Sequence, residues 1–175
     1  MKTYYRVDKK CRIIDVGGDW DDFATRNASD ECGSKYVIGD DLFSHIAGDE
    51  VRMWIESLIL TVRHTKKPIE LNYRCDGPDV RRHFRLVAEP EPEDVVLVSH
   101  QLTAEEPQPT TILLSSASNC RVGTPRCSIC NSVRLADRWV DPFELGSSQE
   151  IQVTHEVCPR CSAMSLGKRK PEPTH

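Results

Sequence analysis

A chain of 175 residues has room for one domain with a small appendix, or for one larger domain, but not for two full hydrophobic cores. Apolar residues make up 38% of the chain and charged residues 29%, which is polar for a folded protein but excludes a wholly disordered chain. The formal net charge of −4 provides no general attraction to nucleic acid or to an anionic membrane surface.

The N-terminal segment does not have the pattern of a secretory signal. MKTYYRVDKKCRIIDV alternates charged and apolar residues, and the longest apolar stretches of the chain are far shorter than a membrane span. These features predict a cytosolic protein. Because the reducing cytosol disfavours structural disulfides, we expect the eight cysteines to be free thiols, metal ligands or redox centres.

The first part of the chain is predicted to alternate short strands with helices. Two strands flank the polar turn at residues 8–10. A short helix is predicted in DWDDFATRNA with Asp19 as its N-cap, and another in DDLFSHI. A long helix follows and ends at residues 66–68. Five apolar residues at helical spacing form its predicted buried face: Val51, Trp54, Ile55, Leu58 and Val62.

The hydrophobic period then changes from that of a helix to that of a strand. Alternation predicts strands at residues 69–75, 84–88 and 95–102, with turn residues between the first two. The predicted elements make an α+β fold in which one face of an antiparallel sheet packs against helices.

A linker is predicted at residues 105–125, which are rich in Pro, Ser and Thr. Within it, residues 111–114 are apolar enough to form a docked strand that ties the C-terminal module to the first domain. The polar residues 167–175 predict a disordered tail.

The segments WDDFATRN and VIGDDLFSHI, the long helix and the turn YRCDGPDVRR resemble a PAS-type sensory domain of the compact bacterial kind. The resemblance covers roughly residues 3–103, so we expect a PAS-like domain over residues 1–104. It implies that the sheet and the helix at residues 48–65 enclose a pocket, which is either filled by side chains or holds a small molecule.

No organic cofactor is predicted for that pocket, although haem or another small ligand stays an alternative. Haem-binding relatives use a helix histidine as an axial ligand, and His45 and His64 both lie on predicted helices. His64 falls in the last turn of its helix, where the helix dipole favours a surface histidine. We expect His45 to lie on the surface or in the core with its hydrogen bonds satisfied.

Three arginines crowd the turn after the first of the three later strands: Arg74, Arg81 and Arg82. Their guanidinium groups could bind an anion or dock a partner. Asp76 lies in the same turn, and we favour the alternative, a turn laced by pairs between arginine and aspartate. Cys75 alternates with core residues and is predicted to be inert. Cys11 is predicted in a strand of the core, and Cys32 and Cys120 as free surface thiols.

Two CxxC pairs near the C-terminus predict a zinc site formed by Cys127, Cys130, Cys158 and Cys161. Two such pairs supply the four soft ligands of a tetrahedral structural zinc ion. The 27 residues between the pairs are more than is usual, but they are enough for a hairpin that brings the pairs together. The size of the module favours a metal, because chains below about 40 residues usually need a metal, a disulfide or a partner to hold a core. Its predicted small core is Ile129, Val133, Trp139, Val140, Phe143, Val153 and Val157.

CSICNSVRLADRWVDPFE and VTHEVCPRC resemble the zinc-ribbon-like segment that ends many bacterial signalling proteins, often directly after a PAS domain. The resemblance implies the same four cysteine ligands and a zinc module over residues 126–166. The sequence departs from the pattern at Asn131, where lysine is usual, and at Glu156, where glycine is usual. His155 could replace a cysteine ligand, but we expect it in a turn or beside the site.

Charge argues against nucleic acid as the partner of this module. Between the first and last of the four cysteines, three arginines face five acidic residues. Only the tail residues Lys168, Arg169 and Lys170 would contact phosphate.

A non-catalytic, cytosolic sensory or interaction protein is therefore predicted, acting through a protein partner or through homodimerisation of the PAS-like domain. No set of nucleophile, base and oxyanion donor can be assembled for an enzyme. The alternatives are a nucleic-acid-binding regulator that uses the zinc module and a zinc-thiolate redox sensor. A thioredoxin-like dithiol is disfavoured, because neither CxxC lies in a βαβ context.

Overall fold

The computed structural model describes residues 1–27, 29–117 and 123–165. Within these residues the chain forms two five-stranded sheets and four α-helices. The strands are β1 (Lys2–Val7), β2 (Ile13–Gly18), β3 (Ile69–Arg74), β4 (Val80–Pro90), β5 (Val96–Pro107), β6 (Ile112–Ser116), β7 (Thr124–Cys127), β8 (Val133–Leu135), β9 (Arg138–Val140) and β10 (Gln149–Glu156). The helices are α1 (Trp20–Arg26), α2 (Ser34–Val37), α3 (Asp49–Thr65) and α4 (Pro159–Ser165).

The first sheet is antiparallel throughout and has the strand order β2-β1-β5-β4-β3. Its long central strands pair over most of their length, so that Leu86 lies opposite His100 and Ala88 opposite Val98. One face packs against the helices and carries the main hydrophobic core. The predicted α+β plan, with an antiparallel sheet packed against helices, is confirmed for this part of the chain.

Helix α3 provides most of the helical side of that core. It begins after Gly48, whose φ is +89°, and it ends at Lys66, which takes the left-handed conformation and donates its backbone N–H to the Val62 carbonyl. The predicted face is confirmed: Val51, Leu58 and Val62 are buried and Trp54 and Ile55 pack partly buried against the core.

The two short helical segments lie where the sequence predicts them. Asp41 caps the 3-10 turn Leu42–His45, because its Oδ1 accepts the backbone N–H of Phe43 at 3.1 Å. Asp19 precedes α1 but does not cap it with its side chain, so the predicted cap is wrong in that respect. Its Oδ2 instead accepts the backbone N–H of Lys2 at 2.8 Å and ties the start of the helix to the sheet.

Two of the predicted cysteine environments are only partly right. Cys11 packs partly buried against the core, but it lies in the turn between β1 and β2 with φ of 60° and not in a strand. Its Sγ lies 3.6 Å from Arg63 Nη1. Cys32 is a free thiol as predicted, but it is partly buried against the core, where Trp20 donates its ring N–H to the Cys32 carbonyl at 2.8 Å. Burial raises the pKa of the Cys32 thiol. Cys120 lies outside the described residues.

The second sheet is mixed and has the order β6-β10-β7-β8-β9. Strand β10 runs parallel to both β6 and β7, whereas β7, β8 and β9 are antiparallel. Part of the predicted linker is therefore strand: residues 105–107 extend β5 and residues 112–116 form β6. The docked strand predicted at residues 111–114 is confirmed, because the backbone N–H of Ile112 donates to the Pro78 carbonyl at 2.6 Å. The predicted tail at residues 167–175 lies outside the described residues.

Across the described residues, no helix has both the length and the apolar character that crossing a membrane requires.

Candidate metal centre

The four cysteines of the two CxxC pairs converge at one end of the second sheet. Cys127 ends β7, Cys130 lies in the turn before β8, Cys158 follows β10 and Cys161 lies in α4. Their sulfur atoms all lie within 4.8 Å of one another. The structure thus brings together the complete set of predicted ligands, and this set could hold a metal ion such as zinc.

Pairing within the second sheet places the two CxxC pairs side by side. Glu156 at the end of β10 lies opposite Cys127, and its carbonyl accepts the backbone N–H of Ser128 at 2.9 Å. The long segment between the two CxxC pairs forms β8, β9 and the parallel strand β10. Glu156, the second departure from the resemblance, is an ordinary strand residue whose side chain lies 3.7 Å from Arg134.

Each CxxC pair is closed by backbone hydrogen bonds. In the first, the N–H of Asn131 donates to the Cys127 carbonyl at 2.9 Å; in the second, the N–H of Ser162 donates to the Cys158 carbonyl at 2.9 Å. Two amides also point at sulfur: the N–H of Cys158 lies 3.3 Å from Cys127 Sγ, and the N–H of Cys161 lies 3.5 Å from Cys158 Sγ. Such donors favour the thiolate form, which is the form that binds metal.

Hydrogen bonds among the four sulfurs shift their pKa values in opposite directions. Hydrogen bonds with Cys127 and Cys161 lower the pKa of the Cys130 thiol, whereas hydrogen bonds with Cys127 and Cys130 raise the pKa of the Cys161 thiol. Four adjacent thiols do not all ionise at neutral pH without a cation, because like charges repel. A bound metal ion is what would allow all four to act as thiolate ligands.

The surroundings of the sulfurs fit a metal with four thiolates. Cys127, Cys158 and Cys161 are buried and Cys130 is partly exposed. Arg126 lies next to Cys127 in sequence, and its Nε donates to the amide oxygen of Asn131 at 2.6 Å rather than to a carboxylate. Burial lowers the pKa of Arg126, so its charge is poorly solvated. The net negative charge of a zinc ion with four thiolates would compensate this enclosed cation.

The hydrophobic wall of the site comes partly from the first sheet and its helix. Ile129 and three of the cysteines form a buried cluster, and Trp54 of α3 and Tyr73 of β3 pack against it together with Trp139 and Val157. Of the small core predicted for the module, Val133, Phe143 and Val153 are buried as well. Sequence reasoning assigned Trp54 and Tyr73 to the first core only, because contacts between distant segments leave no local periodicity.

Helix α3 and β10 approach each other closely beside the site. A Cβ on Gly48 would lie 2.8 Å from the Cβ and from the carbonyl oxygen of His155, so only glycine fits there. Glu50 Oε2 accepts the backbone N–H of Val157 at 3.4 Å. His155 itself is a strand residue rather than the predicted turn residue, and its Nε2 lies 3.3 Å from Ser116 Oγ.

The arginine-rich turn after β3 is laced by ion pairs, as favoured from the sequence. Arg74 pairs with Asp76, and Arg82 Nε lies 3.3 Å from Glu105 Oε1. The sequence did not show that Asp141, far along the chain, also belongs to this network: Arg81 Nη2 lies 2.9 Å from Asp141 Oδ2. The only local feature of the sequence that marks Asp141 is its place before Pro142, at the start of a 3-10 turn.

Burial raises the pKa of the Cys75 thiol, which agrees with its prediction as an inert residue.

The histidines considered as haem ligands do not point into the core. His45 and His64 are both exposed, and His45 Nε2 lies 3.1 Å from Asp40 Oδ2. The enclosed histidine of the first sheet is His100, which the sequence analysis missed. Its Nδ1 lies 2.9 Å from the Tyr73 hydroxyl, its ring stacks on Tyr5, and burial lowers its pKa to about 4.

Two cavities are present near the second sheet. A wide depression of about 500 Å³ lies over β10 beside Leu135 and Leu145, and a smaller cavity of about 100 Å³ lies between Asp76, Arg126 and Phe143. Neither of these two cavities lies between α3 and the first sheet.

The chain matches no protein-family model, and no curated protein is similar to it at a significant level.

Proposed function

We propose that the chain is a non-catalytic sensory or interaction protein whose C-terminal part folds around one structural zinc ion. The observation that carries this proposal is the convergence of four cysteine sulfurs within 4.8 Å, three of them on buried residues. Structural zinc uses a closed set of four such ligands, whereas catalytic zinc keeps one position open for water or substrate. The ligands would be Cys127, Cys130, Cys158 and Cys161.

Zinc would supply the free energy that a small module lacks. Structural zinc contributes on the order of 10 kcal/mol of apparent binding free energy, and this free energy is coupled to folding. The chain's own residues orient the ligands: the amides of Cys158 and Cys161 donate to sulfur, and the pairing of β7 with β10 aligns the two CxxC pairs.

The first part of the chain would be the PAS-like sensory domain. Support comes from the agreement between the predicted and observed order of elements and from the five-stranded antiparallel sheet with helices on one face. We propose that it signals in the cytosol through a protein partner or a second copy of the chain. The outer face of α3 presents Met53 and Leu60 to solvent, 67% and 54% exposed, and is a place to test that contact.

Metal analysis of protein purified without added metal tests the zinc site. We expect about one zinc per chain, and we expect the cobalt-substituted protein to show the intense absorption of thiolate ligands. Cys158→Ser should lose the metal, whereas Cys75→Ala, which removes a partly buried thiol outside the cluster, should keep it. A wild-type protein without metal, or cobalt spectra with oxygen or nitrogen donors, contradicts the proposal.

Native mass spectrometry of protein isolated from its own host tests the sensory proposal. The measured mass reports bound metal, a retained small molecule and the oligomeric state together. A retained organic ligand would identify what the PAS-like domain senses, and a dimer that Leu60→Lys dissociates would support self-association through α3. A monomer without ligand and without protein partners in the cell extract contradicts a sensory or interaction role.

A redox-sensing role of the same site is a second candidate, because Cys130 is partly exposed and its Sγ lies 3.8 Å from Cys158 Sγ. Hydrogen peroxide would take two electrons from the two thiolates, form a disulfide and become water after taking up two protons, and the zinc ion would leave. Rapid zinc release by mild peroxide together with a disulfide between these two cysteines favours this role. Retention of zinc under the same conditions argues against it.

A further inference from the structure

The first CxxC pair is hydrogen bonded to the end of β3. The backbone N–H of Arg74, the last residue of β3, donates to the carbonyl of Ile129 at 2.7 Å. Ile129 lies between Cys127 and Cys130, so this bond fixes the backbone that carries both sulfurs. The first pair of ligands is therefore attached to the first sheet as well as to the second.

Asp76 extends this connection from the backbone to the side chains. Its carboxylate is 3% exposed and accepts hydrogen bonds from the Arg74 guanidinium and from the backbone N–H of Arg82 at 3.0 Å. It also accepts the side-chain N–H of Asn131, with Nδ2 at 2.6 Å from Oδ2. Asn131 in turn accepts from Arg126 Nε at 2.6 Å. Arg126 precedes the first CxxC pair and Asn131 follows it, so the network holds the pair at both ends.

The backbone of Asn131 explains why this residue type occurs here. Its φ is 62°, a left-handed conformation that asparagine adopts more readily than most side chains. In this conformation its backbone N–H closes the turn on the Cys127 carbonyl, while its side chain, 1% exposed, reaches Asp76. A lysine, which is usual at this position in the resembling segments, would bring no amide to that carboxylate.

We propose that Asp76 and Asn131 are a positioning pair for the metal site, which makes the metal affinity of the C-terminal cysteines depend on the first sheet. This inference rests on the proposed zinc site, and it assigns to Asp76 and Asn131 the control of its metal affinity. Coupling between two sites is reciprocal, so a metal ion that orders the first CxxC pair also stabilises Asp76 and the neighbouring ends of β3 and β4. Zinc occupancy is in this way communicated to the sensory part of the chain.

The variant Asn131→Gly tests the pair with the least disturbance of the backbone. Glycine keeps the positive φ and removes only the amide that joins Asp76 to Arg126. Loss of such an outer contact typically weakens metal binding by about 10- to 100-fold, and we expect a zinc affinity at least about tenfold lower in competition with a chromophoric chelator. The matched control is Ala136→Gly, at an exposed residue whose φ is also positive, 52°, in the turn between β8 and β9; its zinc affinity should not change.

Exchange of the two side chains provides a rescue that a general loss of stability would not show. Asp76→Asn leaves two amides facing each other, and Asn131→Asp leaves two carboxylates. The double variant restores one carboxylate and one amide in reversed positions. We expect it to bind zinc more tightly than either single variant, which is the signature of direct coupling in a double-mutant cycle.

Amide hydrogen exchange supplies the reciprocal measurement. In the wild-type protein, zinc should slow the exchange of amides at the end of β3 and the start of β4, and in Asn131→Gly this effect should be smaller. If the wild type binds zinc through four thiolates but Asn131→Gly binds it equally well, the positioning pair is overturned and the zinc site stands. If Asn131→Gly does not fold, the exchange of side chains decides: a double variant no better than the single variants also overturns the pair. A wild type that binds no zinc overturns the proposed function itself.

Discussion

Arg74 and Asp141 form an ion pair that joins the two sheets, with Nη1 and Oδ2 2.5 Å apart and side chains only 13% and 15% exposed. Burial is the largest single influence on Asp141 and opposes its ionisation, but the hydrogen bond and charge of Arg74, the backbone N–H of Phe143 and the charge of Arg81 together outweigh it and lower the pKa of this carboxyl group. The carboxylate also accepts from Arg81 and caps the 3-10 turn Pro142–Leu145 through the backbone N–H of Phe143. An aspartate directly after β9 of the second sheet therefore anchors the arginine-rich turn of the first.

We expect Asp141→Asn to lower the free energy of unfolding by about 2 kcal/mol, because it removes a carboxylate that two enclosed arginines share. Among the described residues, Arg74 then keeps only Asp76 as an ion-pair partner, and Arg81 keeps only the more exposed Glu106. The amide oxygen still caps the following turn, so the change removes mainly the charge. Urea unfolding of the zinc-loaded protein measures the difference. The control is Asp49→Asn, whose side chain is 92% exposed next to Arg52 and which should cost less than about 0.5 kcal/mol. Equal effects of the two variants would show that the ion pair between the sheets contributes no more to stability than an exposed ion pair does.

Loss of the metal should reach beyond the C-terminal module. Because Trp54 and Tyr73 pack against the cysteine cluster, we expect Cys158→Ser to expose them and to lower the thermal midpoint of the first sheet as well. Near-ultraviolet circular dichroism and the fluorescence of the tryptophans report this change. Cys32→Ser, at a partly buried cysteine away from the cluster, should leave zinc binding intact. A first sheet that melts at the wild-type temperature in Cys158→Ser would show that the shared wall is energetically unimportant.

The stability of the first sheet should fall in mild acid because of His100. Its pKa is lowered from 6.5 to about 4 by burial, so the unfolded chain binds more protons than the folded chain between these two pH values. The free energy of unfolding therefore decreases as the pH falls from 6.5 to 4, by up to about 3 kcal/mol. Above pH 6.5 the imidazole is neutral in both states and has no such effect.

The variant His100→Gln isolates this contribution. Glutamine does not titrate, and its amide can either donate to or accept from the Tyr73 hydroxyl, which lies 2.9 Å from the His100 ring. Zinc release in acid affects both proteins alike, so the difference between their unfolding free energies at each pH reports on the imidazole. A difference that does not depend on pH between 4 and 6.5 would show that His100 titrates normally.

Two neighbouring residues of α3 test the packing of the first core. Ile59 is completely buried and Leu60 is 54% exposed. We expect Ile59→Ala to cost about 2 to 5 kcal/mol, since it removes buried methyl groups and leaves a cavity. Leu60→Ala, one position along the same helix, should change stability by less than about 0.5 kcal/mol. Chemical denaturation measures both, and a large loss in Leu60→Ala would reveal that another surface covers this face.

Local patterns predicted the individual elements well. The spacing of Val51, Leu58 and Val62 identified α3, and the alternation of apolar and polar residues identified β3, β4 and β5. Both signals depend only on residues that are close in sequence. Local patterns failed where conformation depends on a distant partner. Cys11 looked like a strand residue, yet the turn between β1 and β2 gives it a positive φ. Asp19 was predicted to cap α1 with its side chain, but its carboxylate accepts the backbone N–H of Lys2 instead.

The identity of the four candidate ligands was contained in the sequence alone, because CxxC spacing places two sulfurs on one tight turn without help from the rest of the chain. Only the tertiary structure decided what surrounds those sulfurs. Trp54 comes from α3 and Tyr73 from the first sheet, Asp76 and Asn131 meet across 55 positions of the chain, and Arg126 donates to an amide oxygen instead of a carboxylate. Such contacts depend on how two sheets pack against each other, and packing between distant segments leaves no trace in local spacing.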